Sequence, residues 1–167
     1  ILQARNIPIT LDLITTQVGN TTTGYLSWAD ARQIVASGGQ VVGHGPVLAN
    51  PNSDLIAQYA TNDERIADMS AARQMIADNG CASPGFDKVY VWPQGSFQSV
   101  TGDSSLLDAA IAAGFTVGRA ANGSSTVRFD FSTLSKYQRL ALPIIGHVYA
   151  GAGEAANLVA INAAISG

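Results

Sequence analysis

The sequence predicts an α/β fold in which parallel strands alternate with helices, and three observations predict it. Three segments share one grammar: each opens on a good N-cap residue (Ser27, Thr61, Asp103) and closes on a glycine (Gly38, Gly80, Gly114). Short apolar, β-branched runs lie beside these segments, at 7–14, 41–44, 89–92, 115–118 and 142–145. The runs are mostly apolar rather than alternating, which is the pattern of strands covered on both faces. Strand, helix and glycine in succession read as βα units, hence a parallel sheet or barrel.

The elements follow in chain order. Residues 1–6 (ILQARN) resemble the last turn of a helix stopping at Asn6. The strand over 7–14 carries Asp12 and leads to Thr15, Thr16 and Gln17. A helix starts at Ser27, which with Asp30 approximates a capping box, and the strand over 41–44 then ends on His44. The long helix from Thr61 has Glu64 three residues on, a second capping box. Its residues Ile66, Met69, Ala72 and Ile76 step by three or four, so they share one face, which is predicted to be core. The strand over 89–92 runs into Trp92-Pro93-Gln94-Gly95, and the helix from Asp103 precedes a strand over 115–118 and Arg119. Residues 119–139 are polar and irregular, so a loop with a short turn is expected there. The strand over 142–145 is followed by His147, and 153–167 reads as a last helix closing on Gly167. A helix end at the start needs a strand before it, and a βα repeat stopping on a helix's glycine points to a strand after it. The expectation is therefore one domain over 1–167 that is a piece of a longer barrel, open where the flanking strands would stand.

Composition narrows the function classes. The 167 residues are 47% hydrophobic and only 13% charged, with a net charge of −3. Disorder is excluded by the first figure. The absence of any Lys/Arg cluster argues against a nucleic-acid or anionic-membrane surface. No apolar run approaches the ~18 residues of a membrane span. Cys81 is the sole cysteine, so neither an internal disulfide nor a cysteine-based metal site is available. A surface rich in hydroxyls and amides suits neutral ligands such as sugars, and it is also common in secreted and viral structural proteins.

In parallel α/β folds ligands bind at the carboxyl ends of the strands, so the polar groups there are the candidates. His44 is the sharpest of them: Gly43 and Gly45 flank it and allow close approach of backbone or ligand. Its neutral imidazole would bind a divalent metal or act as a base; the plainer reading is a strand-end histidine satisfied by a backbone hydrogen bond. His147 has similar placement. Trp92 with a rigid Pro93 and a permissive Gly95 forms a sharp loop. Trp92 would stack on a sugar ring and the Gln94 backbone N–H would face an oxyanion; equally, Trp92 is a lid on the core. Neither a zinc-protease nor a nucleophile-elbow string occurs, and SGGQVVG (37–43) precedes a strand rather than opening a helix, so it is no phosphate loop.

Together these residues resemble the polysaccharide deacetylase family with the NodB-homology domain. NIPITLDLI (6–14) is similar to its second strand, SWADARQIVASGGQVVGHG (27–45) to the helix and strand leading to its metal motif, and TNDERIADMSAARQMIADNG (61–80) to the long helix that follows. VYVWPQG (89–95) resembles the strand with the Arg-x-Pro-Tyr-Gly motif, and LLDAAIAAGFTVGR (106–119) the next helix and strand. The resemblance covers most of residues 1–120. It implies a distorted or incomplete (β/α) barrel of polysaccharide-deacetylase type, and removal of acetyl groups from N-acetyl sugars with a divalent metal, usually zinc, held by one Asp and two His. His44 matches the first metal histidine. The second falls at Leu48, which cannot ligate, and the motif arginine falls at Val91. Pro93 and Gly95 match, while Gln94 replaces the tyrosine and would keep its backbone N–H for the oxyanion. The first Asp motif would lie before Ile1 and the closing Leu-His motif after Gly167. TLDLI (10–14) imitates the first motif but leaves too few residues before His44 for the intervening strand. One usual ligand of three is visible, so zinc in this segment is doubtful.

These points lead to a deacetylase-like domain acting on or contacting acetylated glycans, with a degenerate metal site at His44 and with Trp92, Pro93 and Gly95 as substrate-binding residues. The alternative is a non-catalytic carbohydrate-binding or structural module of a cell-surface or phage tail protein. Either implies an extracellular, cell-surface or virion location. The partners expected are a glycan and the rest of a longer polypeptide, without nucleic acid or a membrane span. An unrelated metal-free barrel hydrolase would need paired carboxylates at strand ends, where only Asp12 stands.

Overall fold

The structure, a computed structural model, describes residues 9–20, 22, 24–45, 47, 55–93, 105–124 and 142–144. The element order begins with β1 (Thr10–Leu13), a 3₁₀ turn (Thr15–Gln17), α1 (Trp28–Ala36) and β2 (Gln40–His44). It continues with α2 (Leu55–Gln58), α3 (Asn62–Asp78), a second 3₁₀ turn (Phe86–Lys88) and β3 (Val89–Val91). Then come α4 (Ser105–Ala112), β4 (Val117–Ser124) and β5 (Leu142–Ile144).

Local chemistry fixes the helix ends. In α1 the Asp30 amide donates to Ser27 Oγ at 3.2 Å while the Ser27 amide donates to Asp30 Oδ2 at 3.1 Å. In α3 the pair is Thr61 and Glu64, at 3.3 and 3.0 Å. Both capping boxes expected from the sequence are thus formed. Each carboxyl is held below its ordinary pKa, chiefly by the hydroxyl it accepts from. At the other ends Gly39, Cys81 and Phe115 donate to the carbonyls of Ile34, Ile76 and Ala110 at 2.9, 3.0 and 3.0 Å. These are six-to-one Schellman bonds, and they need the left-handed Gly38, Gly80 and Gly114 before them.

All neighbouring strands pair in parallel, in the order β1-β2-β3-β4-β5. Among the described residues the sheet is open. Sequential order with right-handed crossovers sends every helix to the same face. Leu13, Val41, Ala31 and Ile76 accordingly form one buried cluster, and Tyr90, Trp92, Met69, Leu106 and Phe115 another. The predicted stripe of α3 is core: Met69 and Ile76 are fully buried and Ala72 nearly so, while Ile66 is partly buried. Each of the two large side chains contributes about 2 kcal/mol by leaving water. Tyr90 meets Trp92 edge-on at 5.2 Å between ring centroids and Phe115 at 5.3 Å. At Gly43 α3 lies close against the sheet: a Cβ there would stand 3.2 Å from the Ala72 Cβ.

The sequence expectations need two corrections. Strand β4 does not stop at residue 118; it runs through Ser124, into the stretch expected to be loop. The RAANGS segment has weak strand propensity, but Arg119 pairs with Val91 of β3 and Leu142 of β5, and Ser124 with Ile144 of β5. A register shift between Arg119 and Ser124 absorbs its irregularity. The short helix α2 was not foreseen. Strands β1 and β3 are shorter than expected. The helical turn at 1–6, the helix over 153–167, and Leu48, Gln94, Gly95 and His147 lie outside the described residues. No helix among the described residues is long and apolar enough to cross a membrane.

Candidate functional site

The face of the sheet away from the helices carries Thr10 and Asp12 of β1, Val42 of β2, Val89 and Val91 of β3 and Arg119 of β4. These residues line a hollow of about 370 Å³ on it. Register places His44 opposite Val91 and Val91 opposite Arg119, so these three form one row across β2, β3 and β4 near the strand ends. Arg119 reaches Asp12 across the two intervening strands, Nη1 to Oδ2 at 3.4 Å. Both side chains are about half exposed, so the pair adds little stability and mainly sets the charge pattern of the hollow.

His44 Nδ1 lies 3.0 Å from the Val91 carbonyl oxygen. A carbonyl only accepts, so Nδ1 carries the proton in the neutral ring and Nε2 carries the lone pair. Metal-binding and general-base histidines are commonly oriented in this way. The backbone carbonyl thus satisfies one ring nitrogen, as the plainer reading of a strand-end histidine has it, and the lone pair lies on the other. His44 and Asp12 share the wall of a smaller cavity of about 120 Å³ with Ile14, Val18, Tyr25 and Leu26.

The segment after His44 is gripped from beneath. Asp68 on α3 is fully buried, and its two oxygens accept the Val47 amide at 3.0 and 2.9 Å. Tyr59 donates its hydroxyl to Asp68 Oδ2 at 2.5 Å, and the Tyr90 hydroxyl donates to the Gly45 carbonyl at 3.4 Å. Burial first, and the Asp68 hydrogen bond second, push the Tyr59 phenol well above its ordinary pKa. Tyr90 is raised in the same direction by burial and then by the Asp68 charge. Sequence reasoning missed Asp68. The available signal was that Arg65, Asp68 and Ala72 step by three and four, so charged residues ride beside a core-facing row.

A solved structure shares this fold. It is the Streptococcus pyogenes deacetylase PplD in complex with acetate, with a TM-score of 0.56 and 14% sequence identity. The alignment covers 74% of this chain and 48% of that one, so the shared part spans about half the length of PplD. At this identity the likeness establishes the fold: a deacetylase-like α/β architecture. No family model matches the sequence. No curated protein matches it either.

The structure brings His44, Asp12 and the end of β3 together. It does not leave Trp92 as a ring open to a ligand: Trp92 is 1% exposed and Pro93 is also buried. That corrects the sugar-stacking reading of Trp92 in favour of the core reading. The ring, just past the end of β3, packs in the same core cluster as Tyr90. A zinc centre draws three or four protein ligands. Among the described residues no group of three or more His, Cys, Asp or Glu side chains is placed to hold a metal ion. His44 and Asp12 alone do not fit such a centre, so no chemical step is derived through a metal.

Proposed function

We propose that the chain is part of a deacetylase-like barrel whose strand-end mouth contacts acetylated glycans, with His44 at its centre and an incomplete metal site. The observation that carries this reading is the His44 ring, fixed by the Val91 carbonyl with its Nε2 lone pair available beside a small cavity. The neutral imidazole would accept a hydrogen bond from a sugar hydroxyl or amide, or take up a proton. Trp92 and Pro93 would act as the buried anchor from which Gln94 and Gly95 approach a ligand, the Gln94 backbone N–H meeting its acetyl oxygen. The remaining strands of the barrel would come from the rest of a longer polypeptide, at a cell surface, outside the cell or on a virion.

A second reading is a carbohydrate-binding or structural module without catalysis. Val91 favours it: the position beside His44, where the resemblance expects an arginine, carries an aliphatic side chain that is nearly fully buried.

One experiment tests the proposal. The protein is incubated with zinc and with β-1,4-linked N-acetylglucosamine oligomers, and binding and acetate release are both measured. Binding that weakens in His44→Ala, with no acetate released, supports the incomplete site. Acetate release abolished by His44→Ala, with stoichiometric zinc surviving dialysis, replaces it with an active deacetylase. Failure to bind any acetylated glycan removes the glycan reading.

A further inference from the structure

A pyranose ring has an apolar face of axial C–H groups and a rim of hydroxyls, so proteins hold it with an exposed aromatic ring and convergent polar groups. Trp92 is sealed in the core and offers no such face. Among the described residues Tyr25 is the exposed large hydrophobic side chain, at 44%. It stands on the wall of the same cavity as His44 and Asp12.

We propose that Tyr25 is a sugar-stacking platform, taking the apolar face of a pyranose ring whose acetyl-bearing arm enters the cavity beside His44 and Asp12. The proposal rests on the glycan reading above and adds the residue that would hold the ring. Size supports the division of labour. A cavity of about 120 Å³ is well below the ~300 Å³ at which pockets begin to enclose whole drug-sized ligands. It suits a small arm, which leaves the ring outside, at the rim where Tyr25 stands. Chemistry supports it as well: Ile14, Val18 and Leu26 give the cavity an apolar wall for a methyl group, while His44 and Asp12 supply polar partners.

The platform is also held in place before any ligand arrives. The Gly19 amide donates to the Leu26 carbonyl at 2.8 Å and the Tyr25 amide to the Asn20 carbonyl at 3.3 Å, closing the loop at its base. Within the loop Asn20 Nδ2 donates to Gln17 Oε1 at 3.2 Å, and the Thr22 amide donates to Asn20 Oδ1 at 3.2 Å. A ring presented by a closed loop loses less freedom on binding than one on an open chain.

The test is calorimetric titration of the protein with the N-acetylglucosamine tetramer and with its fully deacetylated counterpart, alongside the melting temperature. Tyr25→Ala should weaken binding of the acetylated tetramer about tenfold, as truncating a central aromatic anchor does, without lowering the melting temperature. Tyr25→Trp should retain binding, and the deacetylated tetramer should bind more weakly than the acetylated one. Equal binding by wild type and Tyr25→Ala overturns the platform while the glycan reading stands. Equal affinity for the two tetramers overturns the placement of the acetyl arm. No binding by the wild type overturns the glycan reading and the platform with it.

Discussion

His44 and Val91 are register partners across β2 and β3, and the imidazole Nδ1 of the first lies 3.0 Å from the carbonyl oxygen of the second. The bond decides which ring nitrogen is protonated. Nitrogen NMR of the imidazole, at a pH where the ring is neutral, should show the Nδ1–H tautomer. The Nε2–H form would mean that the bond is not made and that no lone pair is presented at Nε2.

Asp68 is the residue whose loss should be felt most. Asp68→Ala leaves the Val47 amide and the Tyr59 hydroxyl without their buried acceptor, and the cost should be about 3 kcal/mol in chemical denaturation. Hydrogen exchange at the Val47 amide should quicken in the same variant. Unchanged protection there would show that the segment after His44 is held by something other than Asp68.

Two of the five tyrosines should titrate late. Tyr59 and Tyr90 have phenols raised above the ordinary value of 10 by burial first and by Asp68 next. A raised acid favours its neutral form in the fold. Its contribution is whole below pH 10 and is lost as pH climbs through that value toward the raised one. Tyrosinate absorbance should therefore rise in two stages, the second coinciding with alkaline unfolding followed by circular dichroism. A single stage that is complete before unfolding would contradict the burial of these phenols.

Arg119→Gln should change stability by less than about 0.5 kcal/mol, because both partners of its ion pair are half exposed. The melting temperature measures this directly. A larger loss would show that the pair across β2 and β3 holds the sheet more strongly than a half-exposed ion pair does.

What the sequence disclosed and what it hid divide along the range of the interactions. The capping boxes at Ser27 and Thr61 and the glycine closes at Gly38, Gly80 and Gly114 are built from neighbours within five residues, so the letters alone reveal them. The stripe from Ile66 to Ile76 was readable because helix geometry converts spacing into a face. Strand β4 was under-read because Arg119–Ser124 is extended through its partners in the sheet, which no local propensity records. Asp68 meets Val47 across 21 positions of the chain, a pairing that only the fold creates. The sequence leaves Trp92 open between core and ligand because both uses select the same residue. The direction of one side chain off β3 decided the matter.

The closeness of Gly43 to Ala72 has a consequence for anyone wishing to retune this protein. Here, a single residue before His44, the helical layer and the sheet meet so tightly that one more methyl group would make its neighbour give by a few tenths of an ångström. Small changes in side-chain bulk at these two positions would shift β2 from behind. They act as a remote adjustment of the imidazole's aim, made without touching any group that a bound molecule would meet.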